Sequence, residues 1–143
     1  MGLLKNSAAM LGELSRISRT AKDEEKNMTP ELQHKLTDYI NRANAGDVDA
    51  MTTLADAYWK GTLLRYDPHE ACKWWTMAAE AGHVSSMYNL GILYMGDISK
   101  QFYDDKMASY WLCQASVHGD QEAGKILEKN YKYSSLFKKW NRR

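Results

Sequence analysis

Cysteine is scarce in this chain: Cys72 and Cys113 are the only two among 143 residues. Neither belongs to a Cys-x-x-Cys pair, and no cluster of His and Cys has the spacing of a zinc site, so no metal ligand is assigned. A disulfide between them would need their Cα atoms within about 7 Å, and both read better as small core residues of a protein from a reducing compartment. Long apolar runs are missing too. No eighteen-residue stretch could span a bilayer, and the apolar run after Lys5 is interrupted by Gly12 and Glu13, unlike a secretory signal. A cytoplasmic location follows, and the sequon Asn27-Met28-Thr29 has no consequence there. Neither sign of charge dominates, since the net charge is +1, and the molecule as a whole has little attraction for nucleic acid or an anionic membrane. The distribution is uneven, however: from Lys125 to Arg143 the chain carries a net +6 and the remainder −5.

What the chain has is internal repetition. Glycines recur at Gly46, Gly82 and Gly119, and from each the fourth residue is Ala50, Ser86 or Ala123, the eighth Leu54, Leu90 or Leu127, and the twelfth Tyr58, Tyr94 or Tyr131. Backwards from Gly82 and Gly119 the pairs are Ala78 and Ala115, Trp74 and Trp111, Ala71 and Ala108, and Asp67 and Asp104, a period of 36 or 37 residues. Spacings of three and four place these residues on helix stripes, so each unit is a helical hairpin. Asp67-Pro68-His69-Glu70 and Thr29-Pro30-Glu31 supply helix starts, and the three glycines supply stops. Ala50, Ala71, Ala78, Gly91, Ala108 and Ala115 form the small side of the packing, and Trp74, Trp111, Tyr58, Tyr94 and Tyr131 the large side.

The run Asp67-x-x-x-Ala71-x-x-Trp74-Trp75-x-x-Ala78-Ala79-x-x-Gly82, followed by Leu90-Gly91-x-x-Tyr94-x-Gly96, resembles the signature of Sel1-like repeats, relatives of the tetratricopeptide repeat. The resemblance covers roughly residues 32 to 131. Leu112, Ser116 and Glu128 depart from it, as suits an end unit. It implies an all-α fold, an α-solenoid of antiparallel helix pairs with a concave groove lined by the first helix of each pair. It also implies an adaptor without enzymatic activity. Repeats are expected at about 46–81 and 82–118, half repeats at 30–45 and 119–132, and together with a C-terminal cap at 134–143 they make a repeat domain of residues 28–143.

Solenoid ends must cover an apolar face. Leu136, Phe137 and Trp140 suit the C-terminal cap, with Lys138, Lys139, Arg142 and Arg143 facing water. In residues 1–27, Leu3, Leu4, Met10, Leu11, Leu14 and Ile17 make an amphipathic helix, and Thr20 to Asn27 a charged linker. Three roles fit that helix: a cap on the first hairpin, an arm that docks on a partner or second copy, or a segment for peripheral membrane contact or organelle targeting.

Catalytic patterns are thin. Ser135-Leu136-Phe137-Lys138 is Ser-x-x-Lys without its companion motifs, His34, His69, His83 and His118 are scattered, and no cofactor loop is present. Rings held in a core cannot stack on bases, so nucleic acid is not an expected ligand. The residues one turn from the core stripe are more informative. Thr52, Asp56 and Trp59 correspond to Tyr88, Ile92 and Met95 and to Lys125, Lys129 and Lys132, a groove apolar in its middle and basic at its end. These nine are the expected contacts of a partner protein or peptide with an apolar and acidic segment. An immunity or antitoxin-type inhibitor is the alternative, and a hydrolase or enzyme subunit using the Asp97–Gln101 loop the competing class.

Overall fold

The computed structural model describes residues 29–61 and 63–131. The segment 1–27 and the cap at 134–143 lie outside the described residues. Among the described residues the protein is all-helical, with six α-helices and one 3-10 turn. The chain divides between Ala81 and Gly82 into two compact units.

In the first unit, α1 (Pro30–Asn44), α2 (Val48–Lys60) and α3 (Pro68–Glu80) pack consecutively. Each start is chemically marked. The Thr29 hydroxyl accepts from the Leu32 amide at 3.2 Å, one Asp47 carboxylate oxygen from the Ala50 amide at 3.1 Å, and an Asp67 oxygen from the His69 and Glu70 amides at 3.0 and 3.1 Å. Asp47 is held a second time, because Arg42 Nε and Nη2 both donate to its other oxygen at 2.9 and 2.7 Å. That hydrogen bond, with the one from Ala50, holds the Asp47 carboxyl below its ordinary range. Gly46 follows α1 at φ +99°, a conformation that lets the chain double back into α2 within a few residues. Ala50, Ala71 and Ala78 are fully buried, and Trp74, on the same stripe of α3 as Ala71 and Ala78, is buried with them. Leu36, Leu63 and Tyr58 close a smaller cluster around Ala57 and Leu64.

The second unit holds α4 (Val84–Tyr94), a 3-10 turn (Lys100–Phe102), α5 (Asp105–Val117) and α6 (Gln121–Tyr131). Asp104 and Asp120 cap α5 and α6 as Asp67 and Asp47 do in the first unit. His83 takes the capping position of α4, its Nδ1 accepting from the Ser86 amide at 3.2 Å. Ala108, Ala115 and Ala123 are fully buried and Trp111 is buried beside them. Gly91 permits the closest helix approach of the pair, since a Cβ there would lie 2.5 Å from Leu112 Cγ.

The aromatic core is corrected at two of its five positions. Trp74 and Trp111 are buried, but Tyr58 and Tyr94 are only half-buried. Each stands in the last turn of its helix, where its backbone carbonyl accepts the amide of the next helix's capping aspartate, from Asp67 at 3.1 Å and from Asp104 at 2.9 Å. The helix end, with water beyond it, leaves part of each ring uncovered. Burial, with the Glu70 and Asp67 carboxylates nearby, still pushes the Tyr58 phenol up. The Tyr131 side chain lies outside the described residues.

Candidate functional site

The expected ladder divides by burial. Thr52, Asp56, Tyr88 and Ile92 are buried, Trp59 and Met95 half-buried, and Lys125 and Lys129 exposed, while Lys132 lies outside the described residues. The first four therefore do not form an open face, and that expectation is corrected. α2 is buried without interruption from Ala50 to Ala57, and α4 from Ser86 to Leu93. A helix enclosed on every side has no separate solvent stripe. Thr52 and Thr53 donate their hydroxyls to the Asp49 carbonyl in the preceding turn of the same helix, at 3.0 and 2.7 Å.

Asp56 has a structural task. At 2 % exposure it accepts a hydrogen bond from Trp75 Nε1 at 3.2 Å, linking α2 to α3 through a buried carboxylate. Trp75 in turn packs on Trp59, with ring centroids 5.5 Å apart at 46°. Trp59 packs on Tyr66, with centroids 6.0 Å apart at 59°. Both tilts suit aromatic quadrupoles. The series runs from a fixed interior carboxylate to a surface ring, because Tyr66 is 52 % exposed. Gly61 sets the position of that ring: it ends α2 at φ +62°, and a Cβ there would lie 2.8 Å from Tyr66 Cβ. The surface aromatic thus stands on two others and against a glycine, with little freedom left to lose on contact with a partner.

Reading the sequence missed Tyr66, Trp75 and Gly61 as parts of one arrangement. A signal was available in the repeat itself, because Tyr66 precedes the capping Asp67 as Tyr103 precedes Asp104, and both tyrosines are exposed.

In the second unit, the basic end of the ladder lies on α6. Lys125 pairs with Glu122 at 2.9 Å, which raises its pKa, and Lys129 is exposed. An exposed pair of this kind is worth little and is readily exchanged for another acidic group. No group of three His, Cys, Asp or Glu among the described residues is arranged to hold a metal ion, and none of their helices is long and apolar enough to cross a membrane. Cys72 and Cys113 are not joined in a disulfide, and burial pushes the Cys113 thiol up. His83 and His118 are engaged in local hydrogen bonds, His118 with the Gln114 carbonyl at 2.8 Å. Ser135 and Lys138 lie outside the described residues.

The alanine, tryptophan and glycine frame of the two hairpins is matched by the family model of the Sel1 repeat, once over residues 48–83 and again over 84–120, together more than half of the chain. The chain belongs to the Sel1 repeat family. Sel1 repeats are generally protein–protein interaction modules and typically non-catalytic. Neither the curated proteins nor the solved structures contain a match to the chain.

Proposed function

We propose that this Sel1 repeat protein is an adaptor that holds another protein or peptide, with the Tyr66–Trp59 ring pair as its principal anchor. One observation carries the reading: an exposed tyrosine is supported from below by Trp59, then Trp75, then the buried Asp56. Tryptophan and tyrosine are the side chains most enriched among binding hot spots, and a ring fixed in advance costs less entropy to engage. Asp56 supports the anchor from inside and does not touch the partner. Separately, on the second unit, Lys125, Lys129 and Lys132 favour an acidic segment of the partner, and half-buried Met95 adds apolar surface.

The test is affinity capture from native lysate with three forms of the protein: wild type, Trp59→Ala with Tyr66→Ala, and Lys125→Glu with Lys129→Glu. The aromatic variant is expected to lose a protein that wild type retains. The lysine variant should recover it more weakly, with the deficit shrinking as salt is raised. Equal recovery by all three, with unchanged thermal unfolding, would overturn the assignment.

A further inference from the structure

Each unit closes one loop in the same way. In the first, the loop from α2 to α3 is drawn together at its neck by two contacts. The Asp67 amide donates to the Tyr58 carbonyl at 3.1 Å, and a Cβ on Gly61 would lie 2.8 Å from Tyr66 Cβ and 3.2 Å from the Tyr66 amide nitrogen. In the second, the Asp104 amide donates to the Tyr94 carbonyl at 2.9 Å, and a Cβ on Gly96 would lie 2.9 Å from Tyr103 Cβ. Both necks present an exposed tyrosine. Their neighbours differ: the residues just before the glycine and just before the tyrosine are Lys60 and Arg65 in the first neck, and Met95 and Phe102 in the second. The second loop closes without charge at these two places, so closure does not require the cations of the first.

Those cations also lack an internal counter-ion. Lys60 and Arg65 are exposed, and neither is in an ion pair among the described residues, whereas Arg42 and Lys73 of the same unit are. The acidic groups of the neighbourhood are already engaged: Asp56 with the Trp75 indole, Asp67 with two amides of α3, and Glu70 with Lys73. Each cation stands one peptide step, about 3.8 Å between Cα atoms, from the touching pair Gly61 and Tyr66. We infer that the Tyr66–Trp59 anchor takes an acidic peptide, in which an apolar side chain packs on Tyr66 and flanking aspartates or glutamates pair with Lys60 and Arg65. This rests on the anchor reading and adds to it the chemistry of the ligand. The Arg65 fork suits a carboxylate held through two hydrogen bonds, and Lys60 acts as a point charge. Exposed ion pairs contribute modestly, so the rings supply most of the affinity and the cations choose the sequence. Two cations on a chain of net charge +1 are too few to hold the phosphate backbone of a nucleic acid.

Selection of a displayed library of random peptides against the full chain tests this. Peptides enriched by wild type should share an Asp or Glu beside an apolar residue, and those enriched by Lys60→Glu with Arg65→Glu should share a Lys or Arg there. A synthetic peptide of the wild-type motif, followed by fluorescence anisotropy, should bind the charge-reversed variant about tenfold more weakly at low salt, with the gap closing as salt is raised. Lys60→Gln with Arg65→Gln repels nothing, and should bind between the two and keep the unfolding temperature of wild type. The aromatic variant, Trp59→Ala with Tyr66→Ala, separates the two readings. If it loses the peptide while both charge variants bind as wild type does, the anchor stands and its acidic specificity is overturned. If it binds the peptide as wild type does, the anchor itself fails and this inference with it. A library that enriches no acidic motif, or a chain that prefers a single-stranded oligonucleotide to every peptide, overturns the inference as well.

Discussion

The first complete repeat ties its helices together with a buried carboxylate and an indole, where the second has hydrocarbon side chains at the same two positions. Asp56 and Trp75 in the first correspond to Ile92 and Leu112 in the second. Around both pairs the frame is the same, with Trp74 or Trp111 set among fully buried alanines. The loop necks differ as well, with Lys60 and Arg65 in the first and Met95 and Phe102 in the second. The positions of Ala71, Trp74 and Ala78 are thus held in common with Ala108, Trp111 and Ala115, because close packing tolerates few volumes there. Positions one step away accept either a satisfied polar pair or an apolar one of suitable size. Polarity at those places is free to encode what each repeat does.

The comparison can be broken most forcefully at the shared frame. Trp74→Ala and Trp111→Ala should each cost about 3 to 5 kcal/mol, measured by denaturant unfolding. A large cost for one and almost none for the other would deny that they are equivalent. Next in size is Gly91→Ala, expected to destabilise by about 1 to 3 kcal/mol although alanine is the better helix former, because its Cβ meets Leu112. The corresponding residue of the first repeat is already Ala55. Combining Gly91→Ala with Leu112→Ala should recover part of the loss, as the unfolding midpoints would show.

A smaller effect separates two adjacent indoles. Trp75→Phe removes the donor to buried Asp56, whereas the Trp74 indole nitrogen, like that of Trp111, has no partner among the described residues. Trp75→Phe should therefore cost about 1 kcal/mol more than Trp74→Phe. Equal costs would mean that the buried hydrogen bond contributes nothing net. The smallest effect is on acid stability. Because Arg42 and the Ala50 amide depress the Asp47 pKa in the folded state, their contribution is present above the ordinary carboxylate range and is lost as pH falls through the lowered value. The stability advantage of wild type over Asp47→Asn should shrink in thermal scans as pH falls below about 4. At the equivalent cap of the second repeat, His83, there is no carboxylate to produce such a limb.

The fold was legible in the sequence because the alanine, tryptophan and glycine positions answer to packing constraints that recur with the period. Trp74, Trp111 and the glycine turns could be read from spacing alone. The contact ladder was less legible. Counting one inward stripe on α2 and α4 assumed an outward stripe as well, but α4 carries no charged residue at all, as a helix enclosed on all sides would. That composition could have excluded Tyr88 and Ile92. The Tyr66 anchor was not legible by periodicity, since it depends on the path of a loop from Gly61 and on ring contacts with Trp59 and, through it, Trp75. No helical spacing encodes these.

The most direct test of the central claim, that the first repeat offers a supported aromatic anchor to a partner, is calorimetric titration of a captured partner with wild type and with Trp59→Ala plus Tyr66→Ala. The variant should keep its cooperative unfolding and bind at least about thirtyfold more weakly, the equivalent of roughly 2 kcal/mol for a lost hot spot. Unchanged affinity in a folded variant would contradict the account.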